Sequence, residues 1–193
     1  PYTPDEIAAE SIKCVEAGAV MVHLHTRTDE GNEVIDLDET LRRYKLTVDP
    51  IRKKYGNSVV IDCNFGTKPT FEDDMALFKT GLSEFTPVNM SLVGHGAPSK
   101  RMQAQVQYMQ ENGIKPEVAV YCDADIDRAK VFLIDTGIIK QPMWWDLLPS
   151  YAMGSTPIYD EFAMAEYLMW HVRQIRRIDP EGVIMVAGTG RPS

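Results

Sequence analysis

The 193-residue sequence has few cysteines and no long apolar run. Cys14, Cys63 and Cys122 are odd in number, far apart and without a CxxC spacing, which argues against a disulfide framework and against a cysteine-based zinc site. We therefore expect a cytoplasmic protein. No stretch reaches the roughly 18 apolar residues that a membrane span requires, and the amino-terminal residues show no signal-peptide pattern. An initiator methionine is also missing, so we expect a processed, trimmed or incompletely recorded chain.

Positive charge is scarce as well. Twenty basic residues face 28 acidic ones, for a net charge of -8, which argues against a nucleic-acid partner and suits a protein that acts on small molecules. The run from Gly188 to Gly190 is not a dinucleotide-binding fingerprint, because a third glycine and a following helix are both lacking. The share of hydrophobic residues, 44%, is typical of a globular chain with a sizeable core.

Helix and strand signals alternate along the whole sequence. A helix is predicted from Pro4 until Gly18, because Thr3 and Glu6 form a capping box. Further helices are predicted over 38–55, where Pro50 should kink or split the helix, and over 71–80, 99–112, 124–136 and 157–178. Short apolar segments bounded by Gly, Pro, Asp or Asn predict strands over 19–25, 59–63, 85–91, 117–122, 138–145 and 183–187.

This alternation implies an α/β fold with a parallel sheet, either doubly wound or closed into a (β/α)₈ TIM barrel. Polar residues recur at the ends of successive strands, which favours the barrel because a barrel gathers its ligand groups from several strand ends. The six predicted strands are two fewer than a barrel needs. We therefore predict a single barrel domain over 1–193, incomplete at both ends, with the first and last strands missing.

His23 and His25 are two residues apart on a predicted strand, so both imidazoles should point to the same face. A single histidine in such a place is more often a hydrogen-bonded core residue. A pair at the end of a buried strand is better interpreted as two metal ligands, and neutral imidazole suits Zn²⁺. A third ligand is needed, and the periodicity does not identify it.

Four other polar residues near strand ends are candidates for binding substrate. The amides of Asn64 and Asn89 offer a donor and an acceptor to an oxygenated substrate, although asparagine caps turns equally often. Ser91 is a weaker candidate of the same kind. Arg191, beside two glycines, is suited to an anion. Asp123 is interpreted as a helix N-cap in preference to an acceptor that orients another group.

Several segments together carry a family resemblance: the helix start at Thr3, the segment from Glu16 through His25 to Arg27, the segment from Ile61 to Gly66, Asn89, and the run to Arg191. With these, the chain resembles the β-keto acid cleavage enzymes, a zinc-dependent TIM-barrel family. The resemblance implies that His23 and His25 bind zinc and that Asn89 and Arg191 belong to the substrate pocket. It implies an exchange in which a β-keto acid and acetyl-CoA become acetoacetate and a new acyl-CoA.

The departures from the family pattern bear on the active site. Nothing in the sequence matches the family's third zinc ligand, a glutamate on the last strand, and Asn64 stands where relatives usually have serine. Two alternatives therefore stay open: another zinc-dependent barrel enzyme of the aldolase or hydrolase type, or a non-catalytic binding or assembly fragment. Because open strand edges invite pairing with another chain, a homo-oligomer is expected.

Overall fold

The computed structural model describes residues 3–65, 70–92, 97–148 and 161–187. The chain divides into two compact units, residues 1–86 and 87–193. The prediction that the whole chain forms one domain stays a prediction.

The first unit alternates helices and parallel strands. Its elements are α1 (Pro4–Glu16), β1 (Met21–Leu24), α2 (Leu37–Tyr55), β2 (Val60–Cys63), α3 (Phe71–Lys79) and the start of β3 (Phe85–Asn89), which runs across the boundary. Strand β1 pairs with β2 over its whole length, from Met21 opposite Val60 to Leu24 opposite Cys63. Strand β2 pairs with β3, where Asp62 lies opposite Phe85. All of these pairings are parallel.

Side-chain caps begin the helices of this unit. The predicted capping box of Thr3 and Glu6 is confirmed, and Thr70 forms a second box at the start of α3. Helix α2 continues to Tyr55 with Pro50 inside it, so Pro50 does not split the helix, and the alternative that it kinks the helix stays a prediction. Proline removes one backbone donor. The packing of α2 on both sides of the proline outweighs that loss, because Val48 and Ile51 are both buried.

The core of the first unit lies between the helices and one face of the strands. Alternate residues of β1, Val22 and Leu24, belong to it together with buried residues of α2. The cluster consists of Ala8, Val22, Leu24, Tyr44, Val48, Ile51, Val59, Ile61, Cys63 and Leu77. Since these side chains occupy the helix-facing side, the other face of β1 is left for polar residues.

The second unit repeats the pattern. After β3 come a 3₁₀ turn, Met90–Leu92, and then α4 (Ala97–Glu111), β4 (Lys115–Val120), α5 (Asp123–Ala129), β5 (Trp144–Leu147), α6 (Glu161–Ile178) and β6 (Val183–Val186). Strand β5 pairs in parallel with β4 and with β6. The six strands found among the described residues alternate with helices in chain order, which confirms the predicted barrel class; a closed barrel has eight.

Two predicted elements of the second unit need correction. The strand predicted over 138–145 begins only at Trp144, because the backbone N–H groups of Ile138 and Ile139 donate to the carbonyl of Leu133 and close the preceding helix. The helix predicted over 124–136 is α-helical only to Ala129 and continues as a π-helical turn, Lys130–Ile134. Within the described part of the chain, no helix has the length and apolarity to cross a membrane.

Candidate functional site

His23 and His25 converge on one face of β1, as the spacing predicts. The side chains of Val22 and Leu24 point to the core, so the two imidazoles lie on the opposite side. The Nε2 atoms of His23 and His25 are 3.0 Å apart, and the ring centroids are 4.9 Å apart at an interplanar angle of 63°. The strand therefore presents two nitrogen atoms at one point.

Asp62 lies against the other nitrogen of His23. Parallel pairing puts Asp62 of β2 directly opposite His23 of β1, and the Asp62 carboxylate contacts His23 Nδ1. Asp62 is fully buried, and this burial raises the pKa of its carboxyl group, while the contact with His23 opposes the rise. When Nδ1 carries the ring proton and donates a hydrogen bond to the carboxylate, the lone pair of a neutral His23 is on Nε2, beside His25.

His25 is held in its neutral form. Burial lowers its pKa to about 4, and the positive charges of Arg27 and of His23, when His23 is protonated, act in the same direction. Its Nδ1 atom is buried and has no hydrogen-bond partner among the described residues. At neutral pH the His25 ring therefore offers a lone pair, which is the state that a metal ion binds.

The two histidines fit two positions of a zinc site. Zinc binds imidazole nitrogen at roughly 2.0–2.1 Å, so two tetrahedral nitrogen ligands lie about 3.3 Å apart. The observed Nε2 separation of 3.0 Å is close to that value. Among the residues that the structure describes, no group of three or more His, Cys, Asp or Glu side chains is arranged to hold a metal ion. A complete site therefore requires ligands beyond this pair.

Tyr44 joins the carboxyl ends of β1 and β2, where the candidate site lies. The buried Tyr44 hydroxyl contacts the carbonyl oxygens of Leu24, at 3.0 Å, and of Asn64. The backbone N–H of Asn64 also donates to Leu24, at 3.1 Å. Asn64, predicted as a substrate-binding residue, is thus placed at the same strand ends as His25.

The second unit holds a polar cluster of its own. Asn89 ends β3, and its side-chain oxygen accepts the backbone N–H of Ser91 at 3.0 Å, so the turn-capping interpretation of Asn89 is confirmed. The Ser91 hydroxyl donates to Asp125 at 2.7 Å. These contacts fix the position of Ser91, while the predicted binding of substrate by Asn89 and Ser91 stays a prediction.

Asp125 is the residue of this cluster that the sequence interpretation missed. Its carboxylate also accepts the backbone N–H groups of Tyr121 and Cys122 and the guanidinium of Arg128. The prediction of Asp123 as the N-cap is wrong: Cys122 occupies the N-cap position, and Asp123 is the exposed first residue of α5. An acidic residue at the third helical position was the available signal for Asp125.

Arg191, predicted to bind an anionic part of the substrate, lies outside the described residues, as does the glycine run before it. Within the first unit the structure brings together His23, His25 and Asp62, with Asn64 at the adjoining strand end. Within the second it brings together Asn89, Ser91 and Asp125.

Comparisons with known proteins agree with this fold and identify a family. The family profile described as beta-keto acid cleavage enzyme matches residues 1–193. The chain is 29% identical over 199 aligned positions to the 3-keto-5-aminohexanoate cleavage enzyme of Fusobacterium nucleatum, covering 99% of this chain and 66% of that enzyme. It is 25% identical over 154 residues to the enzyme of the same name from Acetoanaerobium sticklandii, covering 77% of this chain and 55% of the relative.

The chain thus spans between about half and two thirds of the length of these curated relatives. Among solved structures, it is similar to 3-keto-L-gulonate-6-phosphate decarboxylase from Vibrio cholerae, with a TM-score of 0.57 and 13% identity over 96% of this chain and 75% of that one. At this identity the likeness concerns the fold alone.

Proposed function

The chain belongs to the beta-keto acid cleavage enzyme family, and from that premise we propose that it carries the metal-binding strand of an enzyme that cleaves β-keto acids with zinc. The observation that carries the proposal is the convergence of His23 and His25, whose Nε2 atoms lie 3.0 Å apart. The co-substrate is acetyl-CoA, and the products are acetoacetate and a new acyl-CoA.

In this proposal, different residues bind the metal ion and the substrate. His23 and His25 hold the metal ion, and the low pKa of His25 keeps its ring neutral for that purpose. Zinc, when bound, supplies a positive charge that stabilises the negative charge developing on the substrate oxygens. Asn64 lies at the adjoining strand end and positions a substrate oxygen through its amide.

Asn89, Ser91 and Arg191 complete the proposed substrate set. Asn89 keeps its amide NH₂ group as a donor, since the contact with Ser91 engages its oxygen. The Ser91 hydroxyl donates its hydrogen bond to Asp125, so its oxygen is left to accept a hydrogen bond from a substrate. Arg191 offsets the negative charge of the substrate. A homo-oligomer in the cytoplasm is part of the proposal, and three unpaired thiols suit that reducing compartment.

The first test is the metal content of the whole natural protein. We would purify it beside a His23→Ala/His25→Ala double variant and a control, Lys53→Ala, which alters an exposed side chain of α2. Elemental analysis should find about one zinc per chain in the wild type and the control, and little in the double variant. A wild-type protein that contains no metal and takes up no added zinc would overturn the proposal.

The second test is the requirement for a thioester. β-Keto acids of increasing chain length would be incubated with and without acetyl-CoA, and acetoacetate would be measured. Acetoacetate formation that needs both acetyl-CoA and the two histidines supports the exchange reaction. Consumption of the keto acid without acetyl-CoA indicates an aldolase-type or hydrolytic enzyme and contradicts the exchange.

A further inference from the structure

The two histidines of the candidate metal site differ in the contacts that their Nδ1 atoms make. The Asp62 carboxylate contacts His23 Nδ1, the nitrogen on the far side of the ring from His25. The corresponding Nδ1 atom of His25 is buried without a partner in the part of the chain that the structure describes. The two rings therefore differ in what holds their orientation.

The support of His23 comes from the neighbouring strand β2. Asp62 is in the middle of β2, and its side chain is 1% exposed, whereas that of His23 is 46% exposed. Register pairing of His23 with Asp62 sets the contact, so the carboxylate is fixed by two strands and not by a loop. A buried carboxylate needs a donor, and His23 Nδ1 is the donor that the first unit supplies to Oδ2.

The contact also selects the position of the ring proton. A neutral imidazole carries one proton, and the hydrogen bond made by one nitrogen decides which nitrogen keeps the lone pair. With the proton on Nδ1 facing Asp62, the lone pair of His23 lies on Nε2, the atom 3.0 Å from His25 Nε2. His23 Nε2 thus already carries its lone pair before any metal binds.

We propose that Asp62 is a positioning residue that fixes both the orientation and the tautomer of His23 and makes it the anchoring ligand of the pair. The inference rests on the proposed zinc-binding function of the histidines. Carboxylates that hold the second nitrogen of a ligating histidine typically contribute 10–100-fold to metal affinity. Asp62 touches the ligand and not the metal or the substrate, so its effect passes through His23.

The test uses two variants and a matched control in the whole protein. Asp62→Ala removes the acceptor, and Asp62→Asn keeps a neutral acceptor. Asp179→Asn is the control, because Asp179 is equally buried but serves Met143 and Trp145 in the other unit. Circular dichroism and thermal melting would establish that each variant is folded under the assay conditions.

Zinc affinity would be measured by competition with a chromophoric chelator. We expect affinity to fall about 10–100-fold in Asp62→Ala, to fall less in Asp62→Asn, and to stay within about twofold of wild type in Asp179→Asn. A folded Asp62→Ala protein that binds zinc as tightly as wild type contradicts the inference and leaves the zinc site intact. Absence of zinc binding by the wild type would instead remove the proposed function, and the metal role of Asp62 with it.

Nitrogen-15 NMR of the metal-free protein gives a readout that a merely structural role does not change. With only four histidines, each ring can be assigned from single substitutions. At about pH 8, where imidazole is ordinarily neutral, His23 should carry its proton on Nδ1 in the wild type and lose that preference in Asp62→Ala. A proton found on Nε2 of wild-type His23 overturns the inference.

Discussion

The hydroxyl of Ser91 donates a 2.7 Å hydrogen bond to the carboxylate of Asp125, which has no exposed surface. Ser91 follows β3, and Asp125 is in the first turn of α5, 34 residues later in the chain. The same carboxylate accepts two backbone N–H groups and pairs with Arg128 at 2.7 Å. Asp125 is therefore a central acceptor that connects the end of β3 with the loop after β4.

Asp125→Asn should destabilise the protein by about 2–4 kcal/mol. The amide removes the charge that Arg128 pairs with. Among the described residues, the groups that contact the Asp125 carboxylate are all hydrogen-bond donors, so the new NH₂ group would face donors and find no acceptor among them. Urea unfolding monitored by circular dichroism measures the loss. The neighbouring Asp123→Asn is the control, since Asp123 is exposed, and should change stability by less than about 0.5 kcal/mol. Equal effects of the two substitutions would contradict the assigned role.

Tyr44→Phe should lower the free energy of unfolding by about 1–3 kcal/mol, while the packing of the ring is kept. The substitution removes the hydroxyl that contacts the carbonyls of Leu24 and Asn64. Equilibrium unfolding measures the cost. Tyr55→Phe is the comparison, because its hydroxyl makes a longer contact, 3.4 Å, with the carbonyl of Ile12. A Tyr44→Phe protein as stable as wild type would show that the hydroxyl does not hold the strand ends.

Alkaline pH should weaken the fold partly through Tyr44. Burial raises the pKa of Tyr44 well above its usual value near 10, so above that pH the unfolded chain binds fewer protons than the folded one. The free energy of unfolding therefore falls as the pH rises past about 10. Tyr44→Phe should lose stability less steeply over that range than wild type. Parallel pH profiles for the two proteins would exclude this contribution.

Gly182→Ala should destabilise the second unit by about 2–4 kcal/mol. A Cβ atom at Gly182 would lie 2.4 Å from Asp179 Oδ2 and 2.9 Å from Trp145 Nε1. That oxygen accepts hydrogen bonds from Met143 N and Trp145 Nε1, so its displacement breaks both. Thermal melting compares the variant with Glu181→Ala, an exposed neighbour that should melt near the wild-type temperature. If the Gly182→Ala and Glu181→Ala proteins melt at the same temperature, the side chains around Asp179 shift to accommodate the new methyl group, which contradicts the prediction.

The three thiols should react at very different rates. Cys14 is exposed, Cys122 is partly buried, and Cys63 is fully buried, and burial raises the pKa of the last two. Iodoacetamide at about pH 8, followed by mass spectrometry, should modify Cys14 first, Cys122 more slowly and Cys63 only after unfolding. Rapid labelling of Cys63 in the native protein would mean that the core around β2 opens readily.

Local sequence patterns predicted most helices and strands and the two histidines of the candidate site. The spacing of His23 and His25 placed both rings on one face, because side chains of a strand alternate with a period of two. The first helix was predicted from Thr3 and Glu6, since a capping box involves residues only three apart. The predicted start of the strand over 138–145 is wrong, because an apolar run does not reveal that Ile138 and Ile139 close a helix.

The sequence by itself determined the order of helices and strands, the family, and the shared face of the two histidines. Only the tertiary structure decided that Asp62 supports His23 from a strand 39 residues away, and that Asp125 receives Ser91. The physical reason is that periodicity and capping act within a few residues. Contacts between strands depend on their register, which is set when distant segments pack together and bury their apolar faces.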